Sequence, residues 1–232
     1  HRSAYHGDPD GRPQVAERLV VGIHQKGAVV FTGIIQAVGH IAAIESGEQD
    51  IRLCIESGKL PLEGVSLGDS IATSGVCLTV TELTGEGYWA DVSPESLSLT
   101  TLGTKVIGDS VNLETSLTLS TPLGGHLVSG HVDGVGHVDD IIEDARFWRV
   151  RIMAPETLAR YVAMKGSICV DGTSLTVNQV EGCHFELTII PQTWEETVFS
   201  EYRVGSPVNL EVDVIARYLE RLMQFEASAE AT

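Results

Sequence analysis

Two residues of this chain, Cys77 and His131, have the type and the setting to do chemistry. Cys77 follows Gly75-Val76 and precedes Leu78-Thr79-Val80. A thiol there could be a nucleophile or a ligand contact, and it could equally be a small buried hydrophobe. His131 follows Ser129-Gly130, where a glycine lets a backbone or a ligand come close. An imidazole titrates near neutral pH and can carry protons, although a strand histidine also serves structurally. His126 lies five residues ahead of it. Other chemistries leave no trace in the sequence. There is no metal-ligand constellation, phosphate loop or dinucleotide fingerprint, and the run Gly130–Gly136 lacks a strand–turn–helix context.

What must position these residues is written twice. GIIQAVGHI (33–41) returns as GHVDGVGHV (130–138), and SIATSGVCLTV (70–80) as SICVDGTSLTV (167–177). Pro94 returns as Pro191, and VNLE (111–114) as VNLE (208–211). All four blocks hold one offset of 97 residues, with 22 identities in 82 ungapped positions. This is an internal duplication. Positions equal in both copies serve the fold or a shared ligand. They include Ser70/Ser167, Thr79/Thr176 and Gly75/Gly172, the last pair expected at a turn with positive φ. His40 and His137 also match and read as structural. Unequal positions show where one copy could do what the other does not. Cys77 stands opposite Ser174, His131 opposite Ile34, Asp171 opposite Ser74, Lys165 opposite Gly68, and Phe31, an aromatic face in one copy only, opposite Val128.

Each copy reads as short strands with turn signals every eight to twelve residues. DIRLCIE (50–56) alternates Ile51, Leu53 and Ile55 against Arg52, Cys54 and Glu56, the period of a half-buried strand. Cys77–Leu83 and Gly87–Val92 form a hairpin around residues 84–86. PETLARYVAMKG (155–166) predicts a short helix with Leu158, Tyr161 and Val162 on one side. About six strands per copy and no βαβ rhythm predict an all-β chain of two small antiparallel barrels. In the tail, Val214, Ile215, Tyr218, Leu219, Leu222 and Met223 share one helical stripe. That stripe covers either the chain's own barrels or the same helix of other subunits. The expected division is 1–30 as an extension, a tag or disordered chain; 31–122 and 123–212 as the two barrels; and 213–232 as helix and tail.

Composition narrows the classes further. A formal net charge of −17 argues against nucleic acid, which needs a basic field. No apolar run approaches the ~20 residues that span a membrane. By the repeat, Cys54 faces Arg151, Cys77 faces Ser174 and Cys169 faces Ala72, so no disulfide framework was duplicated. Free thiols in a reducing compartment, the cytoplasm, are expected.

From Phe31 to about Met223 the chain resembles riboflavin synthase of the α-chain type. The stretches that carry the resemblance are FTGII, SGVCLTVT, PESLSLTTLG, GGHLVSGHVDGVG, SICVDGTSLTVN and VNLEVDVIARYLER. The resemblance implies two tandem six-stranded Greek-key barrels and a C-terminal α-helix that builds a homotrimer. It implies that each barrel binds one 6,7-dimethyl-8-ribityllumazine, and that one molecule gives a four-carbon unit to the other. The products are riboflavin and 5-amino-6-(ribitylamino)pyrimidinedione. No cofactor and no metal are implied, and lumazine synthase is a candidate partner. Two like pockets suit a reaction of two like substrates, where paired orientation is worth ~7–11 kcal/mol.

Carried over by position, the resemblance implies proton transfer at His131, with Cys77 and Ser70 assisting a transient addition or orienting the ring. Thr79 and Thr176, with Ser96 and Thr193, would hold the heterocycles, Lys165, Asp171 and Asp213 would bind the ribityl hydroxyls, and Phe31 and Ser174 fall on further substrate-binding positions. The chain departs from the family pattern at Ser74 and Ser96. It also departs in PQTWEETVFSEY (191–202), where Trp194 and Phe199 stand in place of smaller residues and put the shape of the second pocket in question. The other reading from this sequence is a lumazine- or flavin-binding protein on the same fold without catalysis.

Overall fold

The computed structural model describes residues 29–47 and 50–230, with side chains to 226. The expected extension falls outside the described residues up to position 28. Val29 already packs in the core between the barrels, and the Val30 carbonyl accepts from the Leu117 N–H (2.9 Å).

The first repeat forms β1 (Ala37–Ser46), β2 (Ile51–Glu56), β3 (Ser70–Thr73), β4 (Val76–Leu83), β5 (Gly87–Val92) and β6 (Ser110–Thr115). They close in the order β1-β2-β5-β4-β3-β6, every neighbour antiparallel. The second repeat forms β7 (Gly134–Asp144), β8 (Phe147–Met153), β9 (Ser167–Val170), β10 (Thr173–Glu181), β11 (His184–Ile189) and β12 (Pro207–Val212). It closes with the same connectivity, β7-β8-β11-β10-β9-β12. Two six-stranded barrels with one topology are what the repeat predicts.

Side-chain alternation explains each wall. On β2, Leu53 and Ile55 are fully buried while Arg52 and Cys54 point outward. A small barrel also needs sharp coiling, and bulges supply it at repeat-equivalent places. Register shifts fall at Ile41/Ala43 and Val138/Asp140, and again at Val80/Glu82 and Val177/Gln179. Each barrel has its own core. Leu53, Ile55, Ile71, Tyr88 and Leu113 fill one, and Val150, Ile152, Phe185, Val208 and Leu210 fill the other. Burying each of these contributes about 1.5–3 kcal/mol.

Helical plugs cover an end of each barrel. α1 (Pro94–Leu99) begins with the Ser93 hydroxyl accepting from the Ser96 N–H. A 3-10 turn (Thr101–Thr104) follows and buries Leu102. α2 (Glu156–Ala159) lies between β8 and β9. α3 (Pro191–Glu196) and a second 3-10 turn (Val198–Glu201) repeat the α1 arrangement and bury Phe199. α2 is shorter than the helix expected over 155–166. Only Leu158 is fully buried, and a left-handed Lys165 (φ +66°) before Gly166 turns the chain into β9.

The duplicated VNLE motif holds the barrels to each other. Asn112 on β6 donates from Nδ2 to the Asp171 carbonyl (2.8 Å), and its Oδ1 accepts from the Val198 N–H (2.9 Å). Asn209 on β12 does the converse, to the Ser74 carbonyl (2.8 Å) and from the Thr101 N–H (2.7 Å). Both asparagines are fully buried. The two glycines of the equal set meet here: Gly75 (φ +79°) and Gly172 (φ +83°) have the expected positive φ. A Cβ on Gly75 would lie 2.7 Å from the Gly172 nitrogen.

α4 (Val214–Glu230) ends the fold. Asp213 caps it, its Oδ1 accepting from the Ile215 N–H (3.0 Å). Its apolar stripe does not lie on the chain's own barrels: Ile215, Tyr218, Leu219, Leu222 and Met223 are all more than half exposed.

Truncating either asparagine leaves two buried backbone groups of the opposite barrel without partners. Asn209→Ala should therefore lower stability by about 2–4 kcal/mol, read from denaturant unfolding. A loss under about 0.5 kcal/mol, the size of an ordinary surface substitution, would contradict this account of the seam.

Candidate active site

In the first barrel Ser70 pairs in register with Thr79, and Cys77 pairs with Ala72. Ser70 is buried, Cys77 half-buried and Thr79 exposed, so the three form a graded wall. A cavity of about 540 Å³ opens beside Ser70, lined also by Gln36, Pro61, Val65, Thr115 and Ser116. Burial pushes the Cys77 thiol up from its ordinary value, and the hydrogen bond with Ser70 opposes the rise only in part. Near neutral pH Cys77 is a thiol, a poorer nucleophile than a thiolate and a better hydrogen-bonding neighbour.

The second barrel's lead-in segment completes this wall. The Cys77 N–H donates to the Gly130 carbonyl (2.9 Å). Gly130 has φ +74°, and a Cβ there would stand 2.7 Å from the Cys77 Cβ and 3.0 Å from the Phe31 ring. The close approach read at Gly130 is therefore real, and its partner is Cys77. Phe31 is fully buried, packed with Ala72, Val128 and Cys169. The aromatic face expected of it is turned into the seam.

The second barrel repeats the plan with different chemistry. Ser167 pairs with Thr176, and Ser174 takes the place of Cys77. The Ser174 N–H donates to the Gly33 carbonyl (2.7 Å), and the Ser174 hydroxyl meets His126 Nδ1 at 2.6 Å. Burial lowers the His126 pKa, with Asp213 pulling weakly the other way, so the ring is neutral at neutral pH. Its Nε2 is buried and has no hydrogen-bond partner among the described residues. Sequence reasoning left His126 outside the site. The signal was available: by the repeat offset it stands opposite Val29, a polar residue facing an apolar one.

His131 exposes its side chain while its backbone is fixed. Glu211, the acid of the second VNLE, accepts from the N–H groups of Ser129 (2.7 Å) and His131 (2.9 Å). Glu114 does the same for Thr32 (2.6 Å) and Gly33 (2.9 Å). Burial raises both carboxyls, and these N–H groups hold them down.

The remaining expected residues divide. Ser96 lies in α1, where its hydroxyl accepts from Ser93 (3.1 Å), and Thr193 lies at the matching place in α3. Lys165 is exposed, its N–H donating to Val177 (2.7 Å), one residue past Thr176. Asp213 caps α4 near His126. Asp171 is not gathered with them. It is buried with φ +43°, its Oδ2 accepts from the Tyr202 hydroxyl and its Oδ1 from the Asn209 N–H (2.8 Å). It borders a separate cleft of about 340 Å³ lined by Thr101, Lys105, Ser110, Glu201 and Tyr202. Both its oxygens already serve the fold. Trp194 and Phe199 also resolve structurally. Trp194 stacks on Trp148 of β8 (centroids 4.5 Å apart, planes 3° apart), and Phe199 fills the core where Leu102 does in the first barrel.

Comparison with known proteins agrees with this duplicated arrangement. A family profile described as "Lumazine binding domain" matches residues 32–116 and again 129–213. The riboflavin synthase of Photobacterium phosphoreum is 48% identical over 194 residues, covering 84% of this chain and 89% of that protein. That of Bacillus subtilis (strain 168) is 40% identical over 194 residues, covering 84% and 90%. Among solved structures, "Crystal structure of LumP complexed with riboflavin" is similar with a TM-score of 0.74 and 27% identity, covering 78% of this chain and 98% of that one.

The Asp171 carboxyl is pushed by burial from 3.8 to about 6 in the folded chain. Between those values the folded state binds more protons than the unfolded one. Stability therefore falls as pH rises through that window, by about 2–3 kcal/mol in all. Asp171→Asn removes this dependence. The unfolding free energy of the variant relative to the parent should shift in the variant's favour by that amount from pH 4 to pH 8. A pH-independent difference would place the titration elsewhere.

Proposed function

The chain belongs to the riboflavin synthase family, and from that premise we propose how its residues divide the work. It is an enzyme: two molecules of 6,7-dimethyl-8-ribityllumazine react, one giving a four-carbon unit to the other. The products are riboflavin and 5-amino-6-(ribitylamino)pyrimidinedione. Two like substrates meet two like walls, Ser70–Thr79 in one barrel and Ser167–Thr176 in the other. Each wall holds one heterocycle, with Ser96 and Thr193 on the neighbouring helices.

The observation that carries the division is the unequal pair set on an equal frame. One lead-in segment brings Gly33 to Ser174, and the other brings Gly130, next to His131, to Cys77. His131, whose imidazole is exposed, moves the proton of the acidic C7 methyl group. Cys77, held as a thiol, and Ser70 orient the ring beside it. Ser174, hydrogen-bonded to neutral His126, plays that part in the second barrel. Lys165 and Asp213 take ribityl hydroxyls, with Phe31 and Asp171 supporting the frame.

The exposed stripe of α4 supports self-association, as a homotrimer in which one subunit's first barrel faces a neighbour's second. The four free thiols suit the cytoplasm, where the enzyme can work beside lumazine synthase.

Purified protein incubated with the lumazine alone should form riboflavin and the pyrimidinedione in equal amounts, followed by absorbance and fluorescence. Tight lumazine binding without riboflavin would favour a binding protein on the same fold. His131→Gln should lower kcat by about 10²–10⁴-fold with little change in lumazine affinity. Cys77→Ser should lose less than about tenfold, because a hydroxyl keeps the hydrogen bond that a neutral thiol makes. A Cys77→Ser variant as inactive as His131→Gln would mean that the thiol adds covalently after all.

A further inference from the structure

We propose that Arg217, on the first turns of α4, is a positioning residue for His131. The proposal rests on the reading of His131 as the proton-transferring group. Arg217 Nη2 donates to the His131 carbonyl (2.8 Å) and to Asp133 Oδ2 (2.7 Å). Asp133 Oδ2 also accepts from the Val212 N–H (2.8 Å), which ties this pair to the end of β12. On the other side of the same residue, Glu211 accepts from the His131 N–H (2.9 Å). The peptide groups flanking His131 are thus gripped from two elements, β12 and α4. The imidazole itself is exposed, so its aim depends on that backbone.

The first barrel shows what the clamp adds. There Ile34 occupies the place of His131, and its N–H goes only to the Thr32 hydroxyl (3.2 Å). Gln36 stands in the place of Asp133 and accepts from the Thr115 N–H (3.0 Å), the counterpart of the Asp133–Val212 bond, so that link is common to both copies. β6 is followed by a turn where β12 is followed by α4, so none of the described residues there takes the place of Arg217. What the histidine copy adds is the guanidinium on the His131 carbonyl and the carboxylate of Glu211 on the His131 N–H. A guanidinium suits the task because the two N–H bonds of its Nη2 diverge in fixed, coplanar directions toward the two acceptors. The side chain is two-thirds buried (34% exposed) and its contact with Asp133 is half-buried, while the bond to the His131 carbonyl lies at the surface. Since α4 also carries the exposed apolar stripe, the seating of that helix and the aim of His131 are mechanically joined.

The test compares the full-length parent, Arg217→Met, Arg217→Lys, His131→Gln and the double variant Arg217→Met/His131→Gln. The readouts are kcat, lumazine affinity by fluorescence titration, and sedimentation. Arg217→Met should lower kcat by about 10- to 100-fold while lumazine affinity stays within about twofold and sedimentation is unchanged. Arg217→Lys should recover part of the rate, since an ammonium can reach one acceptor. In the His131→Gln background, Arg217→Met should cost less than about twofold more, because the group it positions is gone. Three results would overturn the proposal. These are a full rate for Arg217→Met, the same fold-loss with and without His131, and a loss that tracks altered sedimentation or weaker lumazine binding. A full-rate His131→Gln variant would sink the reading of His131 itself, whatever Arg217 does.

Discussion

The rest of the structure depends on two asparagines that spend their side chains on the opposite barrel. Asn112 and Asn209 are fully buried, and each satisfies one backbone carbonyl and one backbone N–H across the seam. Those groups belong to turns and 3-10 helices that no strand ladder can serve. Left unpaired and dry, each would cost about 1–3 kcal/mol. The seam is therefore a set of mutual obligations. Neither barrel can close its own hydrogen-bond account without the other, and the contacts are reciprocal, as in a two-fold dimer joined into one chain. This explains why VNLE is copied unchanged when much else has diverged. The glutamate of the same motif does a local job, fixing its own barrel's lead-in segment, and those segments then cross to Cys77 and to Ser174.

On so constrained a frame, divergence is confined to side chains the frame does not use. Cys77 and Ser174 occupy one backbone position in two copies, and both donate their N–H to a glycine carbonyl of the other barrel. Their surroundings differ. Cys77 shares the seam with apolar Val29 and Phe31, and burial keeps it protonated. Ser174 meets a neutral histidine. Ile34 and His131 repeat the contrast at an exposed position, where an isoleucine 49% open to solvent does nothing for the core. An equal scaffold with unequal reactive groups is what a reaction between two identical molecules needs, because one must give and the other must accept.

How much of this was legible depends on the range of the interaction. Strand identity is a local property of alternation, so Leu53 and Ile55 announced their inward face. Positive φ at Gly75 and Gly172 followed from a glycine in a tight turn. The repeat then carried the barrel topology across. What could not be read is whatever depends on a partner far along the chain. Asp171 looked like a ligand group because it differs from Ser74, and only the fold shows Tyr202 and Asn209 holding both its oxygens. Trp194 looked like an obstruction until Trp148 appeared beneath it. His126 was passed over because its neighbour Ser174 lies 48 residues away. In each case the residue type was noticed, and the missing fact was what stood opposite.

The same consideration bears on His131, which sits where the chain leaves the first barrel for the second. A barrel strand has its backbone fixed by ladders on both sides, and its side chains alternate between the core and the outer wall. A lead-in segment has no ladder of its own to fix it. Here the deficit is met by three charged or buried acceptors and donors, Glu211, Asp133 and Arg217, drawn from β12, from the segment itself and from α4. The first-barrel segment, which carries no histidine, is held by Glu114, the Thr32 hydroxyl and Gln36, with no guanidinium among them. The guanidinium fastening, present in one copy alone, thus marks the copy whose backbone is held most firmly, by a physical route independent of the resemblance.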